Sequence, residues 1–244
     1  MSEKVVLITG GVRGIGRAIA LALGERGWSI ATCYRTSEHD AISLNEALQK
    51  KGVRAISLNA DVSIPDVAND LVQQVETEFG RIDALINGAG PYHRVNLLDE
   101  TVQGWNKMLD GNLNSAFYVS RAVVVGMKER RSGRIINFSM ANADKHEGQP
   151  FVTGHYIAKA GLLILTRTYA KLLAPYGITV NAISPGFIES GSAPPDELQK
   201  MVKNIPAGYI GSVDDGVGAA LYLLSDEARY VNGSNLHLSG AWGM

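Results

Sequence analysis

The sequence predicts an α/β fold: one doubly wound parallel sheet of seven strands, with helices on both faces. Three observations predict this class. Short apolar runs alternate with longer segments of helical periodicity along the 244 residues. The apolar runs are continuous, which is typical of strands buried on both faces of a parallel sheet. A glycine-rich turn follows the first run and leads directly into a helix, as in nucleotide-binding folds.

The first half of the chain contains four predicted strands, at 5–8, 28–34, 54–59 and 84–87. Helical periodicity fills the gaps between them, at 17–26, 38–50 and 66–79. Each helical segment is followed by a glycine, a common residue just past a helix end: Gly27, Gly52 and Gly80. Parallel strands need crossovers of this length, so we expect the four strands to share one sheet.

The second half continues the same alternation through three more strands, at 134–139, 178–184 and 235–238. Helical stretches are predicted at 101–130 and 156–173, and the first of them contains Gly104 and Gly111. The chain has no linker, repeat or charge block that marks a boundary. We therefore expect residues 1–244 to form a single nucleotide-binding domain of the Rossmann type.

Composition excludes several classes of function. The 23 basic and 24 acidic side chains leave a net charge of −1, which offers no broad electrostatic surface for nucleic acid. The single cysteine, Cys33, and the scattered histidines predict no metal site and no intrachain disulfide. No apolar run approaches the ~20 residues that span a bilayer. These features predict a soluble, cytoplasmic protein that binds neither nucleic acid nor membrane.

The glycine-rich turn reads Thr9-Gly-Gly-Val-Arg-Gly-Ile-Gly16. Gly10 permits a sharp turn, Gly14 lets the backbone approach a pyrophosphate, and Gly16 lets the helix pack closely on the strand. Ile15 lies between the last two glycines, at the start of the helix whose N–H groups face the phosphates. The turn predicts a dinucleotide site, with the spacing G-x-x-x-G-x-G.

The residues after the second strand favour NADP over NAD. An NAD site usually has a carboxylate there for the ribose 2′-hydroxyl, but the sequence has Tyr34, Arg35 and Thr36, with no acid before Glu38. Arg13 lies in the glycine turn itself, and two guanidinium groups suit a 2′-phosphate. The alternative is that both arginines are ordinary solvated surface residues.

Tyr156 and Lys159 lie three residues apart at the start of a predicted helix, so they share one face of it. A neighbouring ammonium favours the phenolate and lowers the pKa of the tyrosine from its usual ~10, which makes the hydroxyl a usable acid or base. Such a pair alone also occurs by chance in many helices.

The pair does not stand alone. Further motifs occur in a fixed order: the glycine turn, Asp61-Val62, Asn87-Gly-Ala-Gly90, Asn112, Tyr156-x-x-Lys159 and Pro185-Gly186. With these motifs the sequence resembles the short-chain dehydrogenase/reductase family over essentially its whole length. Within that family it is most similar to the bacterial β-ketoacyl carrier-protein reductase group.

The resemblance implies roles for the matched residues. Tyr156 would give a proton to the substrate carbonyl, Lys159 would hold the nicotinamide ribose and lower the pKa of the tyrosine, and Asn112 would position a water behind Lys159. The remaining positions would contact the cofactor, from the adenine to the nicotinamide: Asp61, Val62, Asn87, Gly88, Ala89, Gly90, Pro185, Gly186 and Ile188. The resemblance also implies a lid over the substrate at about 187–205 and a homotetramer or dimer.

One departure from the family pattern concerns the serine that normally binds the substrate carbonyl. Alignment from the fifth strand places Met140 there, whereas counting back from Tyr156 reaches Ala143, so the loop is longer than usual. Ser139, Asn142 and Asp144 are the available substitutes, and water or no replacement stays open. An aspartate at the serine position is a feature of pteridine reductases in this family.

The sequence therefore predicts an NADPH-dependent oxidoreductase that transfers hydride between the nicotinamide and a carbonyl or hydroxyl group. A 3-oxoacyl thioester is the favoured substrate, with acyl carrier protein as a partner that docks on basic residues; Lys128, Arg130 and Arg131 are the candidates. The alternatives are a pteridine-type reductase and an NADPH-binding scaffold or sensor that has lost catalysis.

Overall fold

The structure, a computed structural model, describes residues 3–191 and 195–244. Seven strands form one parallel sheet in the order β3-β2-β1-β4-β5-β6-β9. The bounds of these strands are β1 Val5–Thr9, β2 Ser29–Tyr34, β3 Ala55–Asn59, β4 Ala84–Asn87, β5 Gly133–Phe138, β6 Ile178–Pro185 and β9 Asn235–Leu238. The predicted fold class is confirmed.

Eight α-helices connect the described strands, and six of them cover the sheet. Their bounds are α1 Gly14–Gly24, α2 Glu38–Gln49, α3 Pro65–Phe79, α4 Val102–Leu109, α5 Ser115–Arg130, α6 Thr153–Leu173, α7 Pro195–Met201 and α8 Val213–Leu224. Alternate residues of β1 enter different cores. Val5 and Leu7 pack with α3, α5 and α6, whereas Val6 and Ile8 pack with α1, α2 and α8. Both faces of the sheet are therefore buried, which explains the continuous apolar strands.

The predicted helix at 101–130 is interrupted in the structure. α4 ends at Leu109, the π-helical segment Asp110–Asn114 follows, and α5 begins at Ser115. A Cβ on Gly111 would lie 2.4 Å from Cδ of Pro91, so only glycine allows the β4–α4 loop to pack here. π-helical turns recur at functional sites, and this one contains Asn112.

Two short strands lie outside the main sheet. β7, Ile188–Glu189, pairs in parallel with β8, Gly211–Ser212. They were not expected from the sequence, because two-residue strands leave no periodic signal. The predicted lid at about 187–205 includes β7, α7 and the 3₁₀ turn Val202–Asn204; its residues 192–194 lie outside the described part of the chain.

Candidate active site

The turn between β1 and α1 has a backbone conformation that glycine adopts most readily. Gly10 has φ +68° and Gly14 has φ +52°, both in the left-handed region. A Cβ on Gly10 would lie only 3.0 Å from the Cα of Ala89, across the gap between β1 and β4. α1 begins at Gly14, so its first N–H groups lie directly beside this turn and can bind phosphate oxygens.

A cleft of about 650 Å³ follows the carboxyl ends of β1, β2, β3 and β4. Most predicted cofactor-binding residues line it: Gly10, Arg13, Gly14, Ile15, Gly16, Tyr34, Arg35, Thr36, Asp61, Val62, Gly88, Ala89 and Gly90. Sequence reasoning missed other lining residues, among them Ser37, Ser63, Phe138, Ser190 and Gly191. A signal existed for Ser63, because Asp-x-Ser is a common turn.

Six predicted cofactor residues lie outside the lining of the described cleft: Asn87, Tyr156, Lys159, Pro185, Gly186 and Ile188. Asn87 is buried, and its amide donates to Ser120 Oγ (3.0 Å) and to Asn137 Oδ1 (2.8 Å). Its side chain thus joins β4 to β5 and α5 behind the cleft. Pro185 and Gly186 lie at the end of β6, where Gly186 donates to the carbonyl of Leu238 (2.9 Å).

Two exposed arginines flank the adenosine end of the cleft. Arg13 lies 3.7 Å from the carboxylate of Asp40, and Arg35 lies 3.5 Å from that of Asp61. Both arginine side chains are more than half exposed, at 72% and 52%. Exposed pairs of this length contribute little energy, so the arginines can turn toward a 2′-phosphate at low cost.

Asp61 is held in its charged form. Partial burial pushes the pKa of its carboxyl upward, but hydrogen bonds from the hydroxyl and the N–H of Ser63, together with the charge of Arg35, outweigh burial and lower the pKa. A carboxylate at the end of β3 can accept a hydrogen bond from the exocyclic amine of an adenine.

Lys159 is buried on α6, and its ammonium donates to the carbonyl of Phe138 at the end of β5 (2.7 Å). Burial lowers the pKa of this lysine to about 8. Because Phe138 lines the cleft, Lys159 lies directly behind the cleft wall. An ammonium has three N–H donors, so Lys159 could also donate to a bound ribose hydroxyl.

The hydroxyl of Tyr156 contacts the loop between β5 and α6. It donates to the backbone carbonyl of Asn142 (2.8 Å) and accepts from the N–H of Glu147 (3.1 Å). The tyrosine is only 5% exposed. These contacts could not be predicted from the sequence, because both partners of the hydroxyl are backbone groups.

Asn112 is buried in the π-helical segment. Its amide donates to the carbonyls of Pro91 (2.9 Å) and Met108 (3.0 Å), while its Oδ1 is buried and lacks a partner among the described residues. The carbonyl of Pro91 also contacts Nδ1 of His155 (3.2 Å). Burial, followed by the charge of Lys159, lowers the pKa of His155 to about 4, so the ring is neutral and donates to this carbonyl.

The candidates for the missing serine take different positions. The hydroxyl of Ser139 donates to the carbonyl of Lys159 (2.8 Å), so its proton is already engaged. Asn142 meets Tyr156 through its backbone, and its Oδ1 is buried without a partner among the described residues. Asp144 contacts Nε2 of His237 (3.0 Å). Met140 and Ala143 pack in a small apolar cluster.

The basic residues expected to receive a carrier protein lie on the far side of the molecule. Lys128 and Arg130 are in the last turn of α5, which leads through Arg131 into the start of β5. The cleft lies at the opposite, carboxyl edge of the sheet. Arg130 and Arg131 instead donate to the carbonyls of Ile82 and Pro175, which ties α5 to neighbouring loops.

Two further findings concern metal ions and membranes. Within residues 3–191 and 195–244, no group of three or more acidic, histidine or cysteine side chains is placed to hold a metal ion. In the same part of the chain, none of the helices is both long and apolar enough to cross a membrane. The fold and the cleft define an α/β protein of the nucleotide-binding type, with a buried lysine behind the wall of its cleft.

Comparison with known proteins narrows this class. Residues 10–242 match a family model described as enoyl-(acyl carrier protein) reductase. FabG, the 3-oxoacyl-[acyl-carrier-protein] reductase of Staphylococcus epidermidis, is 37% identical over 99% of this chain and 100% of its own length. FabG of Escherichia coli is 35% identical over 99% of this chain and 98% of its own length.

The fold is also similar to solved structures of a dehydrogenase and a reductase. A putative short-chain alcohol dehydrogenase from Sinorhizobium meliloti has a TM-score of 0.92 and 30% identity, over 99% of this chain and 97% of that one. Levodione reductase also has a TM-score of 0.92, with 27% identity, over 100% of this chain and 98% of that one. The chain belongs to the short-chain dehydrogenase/reductase family and is an NAD(P)-dependent oxidoreductase of the FabG-like kind.

Proposed function

We propose that this protein reduces the ketone of a 3-oxoacyl thioester carried on acyl carrier protein, with NADPH as the reductant. The observation that carries the proposal is the position of Lys159, which is buried on α6 and donates to the carbonyl of Phe138 in the wall of the cleft. Tyr156 lies three residues earlier on the same helix. The names and the full-length similarity of the FabG relatives support the substrate class.

NADPH supplies the hydride when it is bound, and this chain's residues handle the proton. Tyr156 donates its hydroxyl proton to the carbonyl oxygen of the substrate as negative charge develops there. The positive charge of Lys159 stabilises the phenolate that remains. The unpartnered Oδ1 of Asn112 is an acceptor for a buried water, and such a water would carry protons toward Lys159.

The cleft fits a dinucleotide. Its glycine turn and the start of α1 suit a pyrophosphate, and Arg13 and Arg35 frame the place where a 2′-phosphate would lie. The absence of an acid at the end of β2 removes the group that would repel a 2′-phosphate. NADPH is therefore the proposed cofactor in preference to NADH.

The cofactor preference is testable by removing the arginines. We expect Arg13→Ala and Arg35→Ala each to raise KM for NADPH roughly tenfold, because each deletes a charge-assisted contact to the 2′-phosphate. KM for NADH should change little. Arg26→Ala is the matched control, since Arg26 is an exposed arginine at the end of α1 that donates only to the nearby carbonyl of Ala22. A wild-type protein that prefers NADH would contradict the assignment.

The substrate class is testable with two thioesters of equal chain length. We expect NADPH oxidation with a 3-oxoacyl thioester and little or none with the 2-enoyl thioester, because Tyr156 is placed to protonate an oxygen. The enoyl compound matters because the matching family model is described as an enoyl reductase. If the enoyl thioester is turned over faster, the proposed function is wrong, and the protein reduces an alkene and not a ketone. A carbonyl panel without any turnover would favour the NADPH-binding scaffold.

Two partners belong to the proposal. Large apolar side chains are exposed along single faces of α5 and α6: Phe117, Val125, Ile157, Ile164 and Leu172. Exposed apolar faces of this kind mark protein interfaces, so we propose a homotetramer or dimer assembled through these helices.

The exposed basic residues Arg94 and Lys145 lie in loops at the same edge of the sheet as the cleft. We propose that the carrier protein docks on these two residues and not on the basic residues at the end of α5.

A further inference from the structure

Two aromatic rings lie together at the carboxyl edge of the sheet, outside the packed cores. The ring centroids of Phe187 and Trp242 are 4.6 Å apart, and the ring planes are inclined by 60°, an edge-on arrangement that aromatic pairs favour. Both residues are partly exposed, and neither belongs to the apolar clusters that cover the two faces of the sheet. The pair therefore presents apolar surface that the described part of the chain leaves open.

This aromatic pair lies beside the end of the dinucleotide cleft. Phe187 comes just after the end of β6, and Ser190 and Gly191, a little further along the same segment, line the cleft. The lining also reaches Phe138, the last residue of β5. Ligands of doubly wound sheets bind beyond the carboxyl ends of the strands. A substrate that meets the cofactor at the ends of β5 and β6 would therefore lie next to the two rings.

The last residues of the chain, 239–244, here called the C-terminal hook, hold Trp242 in place. The N–H of Trp242 donates to the carbonyl of Ser239 (2.9 Å), which turns the hook back toward the end of β9. Gly186 lies close to Ser239, because a Cβ on this glycine would lie 3.0 Å from the Cα of the serine. The hook therefore begins beside the segment that leads from β6 to Phe187.

The hook also contacts two other parts of the chain at this edge of the sheet. The carbonyl of Gly240 accepts from the N–H of Ala207 (3.0 Å), in the segment that follows α7. A Cβ on Gly243 would lie 3.0 Å from the Cβ of Asn142, in the loop between β5 and α6. The backbone on both sides of Trp242 is thus fixed by contacts, so the indole ring has a defined place.

We propose that Trp242 is a specificity-determining residue, and that its ring and the ring of Phe187 form an apolar wall on which the acyl chain of the substrate packs. The inference rests on the proposed function for the thioester substrate, but it does not depend on which residue donates the proton. Burial of one methylene group against an apolar surface strengthens binding by about fourfold. Affinity should therefore increase with the length of the acyl chain.

The wall is tested with two pairs of N-acetylcysteamine thioesters, butanoyl against octanoyl and 3-oxobutanoyl against 3-oxooctanoyl. The saturated pair has no ketone to reduce, so its dissociation constants, measured by calorimetry with NADP⁺ present, report binding without turnover. The 3-oxo pair gives kcat and KM. Trp242→Ala removes the ring, and Trp242→Phe keeps an aromatic ring. Trp28→Ala is the matched control, since Trp28 is partly exposed just before β2, at the opposite edge of the sheet.

We expect the wild type to bind the octanoyl thioester roughly tenfold more tightly than the butanoyl thioester, with a similar ratio of KM values in the 3-oxo pair. In Trp242→Ala both ratios should fall to about twofold, through weaker binding of the long chain alone. Values of kcat and KM for the 3-oxobutanoyl thioester should be retained. Trp242→Phe should keep most of the ratio, and Trp28→Ala should match the wild type.

Three results would overturn the wall. The first is wild-type affinity that does not increase with chain length, and the second is an unchanged ratio in Trp242→Ala. The third is an equal loss of activity on both chain lengths, because Trp242 would then only support the fold. Phe187→Ala removes the other ring and should lower the ratio in the same way, which keeps the wall testable if Trp242→Ala does not fold.

The two pairs of thioesters also separate this inference from the proposed function. If the 3-oxo thioesters are not turned over while the saturated pair shows a ratio that depends on Trp242, the wall is supported and ketone reduction is wrong. If the 3-oxo thioesters are reduced with the same ratio of KM values in the wild type and in Trp242→Ala, ketone reduction is supported and the wall is wrong.

Discussion

Tyr156→Phe is expected to lower kcat for reduction of a 3-oxoacyl thioester by about 10³-fold, because it removes the only proposed proton donor and little else. The ring stays packed, and the lost hydroxyl contacts the backbone of Asn142 and Glu147 rather than a side chain. Steady-state oxidation of NADPH measures the loss. The dissociation constant of NADPH, measured by fluorescence titration, should change by less than a factor of about three.

The matched control for this variant is Tyr169→Phe, a half-buried tyrosine further along the same helix, α6. It should retain wild-type kcat. Retention of more than about a tenth of kcat in Tyr156→Phe would contradict the assignment of the proton donor, since general acid catalysis typically contributes 10²–10⁴-fold.

Lys159→Met is expected to lower kcat by about 10²-fold, because the phenolate of Tyr156 loses its neighbouring positive charge. The rate of 3-hydroxyacyl thioester oxidation should fall by a similar factor, since the same step then runs in reverse. Lys171→Met, in the last turn of α6, is the matched control and should keep both rates.

The same variant has a readout that is independent of activity. The pKa of Lys159 is about 8 in the folded protein, below its ordinary value of 10.5. Between these two pH values the unfolded chain binds more protons at this position, so its contribution makes the free energy of unfolding rise with pH. We expect denaturant unfolding to show wild-type stability improving relative to Lys159→Met from pH 8 to 10.5. If the difference in the free energy of unfolding between the two proteins does not change with pH, Lys159 is solvated and its pKa is not lowered.

The sheet and the phosphate turn could be predicted because their signals are local. Continuous apolar runs predict buried parallel strands, and the turn from Thr9 to Gly16 requires glycine for backbone reasons, visible in the positive φ of Gly10 and Gly14. The interruption at Asp110–Asn114 was not predicted, since π-helical turns are rare and occur as single turns inside α-helices. Gly111 lies within this segment and packs closely against Pro91.

The surroundings of Tyr156 could not be predicted for a different reason. The sequence offers three side chains as substitutes for the missing serine: Ser139, Asn142 and Asp144. The structure instead gives the tyrosine two backbone partners, from Asn142 and Glu147. Backbone groups are the same at every position, so only the path of the loop between β5 and α6 determines which of them reach the hydroxyl.

The most direct measurement of the central claim is the product of one turnover. The protein is mixed with NADPH and a short 3-oxoacyl group on acyl carrier protein, and the acyl chain is analysed by mass spectrometry while NADPH absorbance is followed. We predict a 3-hydroxyacyl product that has gained two hydrogen atoms, with one NADPH oxidised per chain. NADPH that binds tightly and remains unoxidised, with the 3-oxoacyl chain unchanged, would contradict the account.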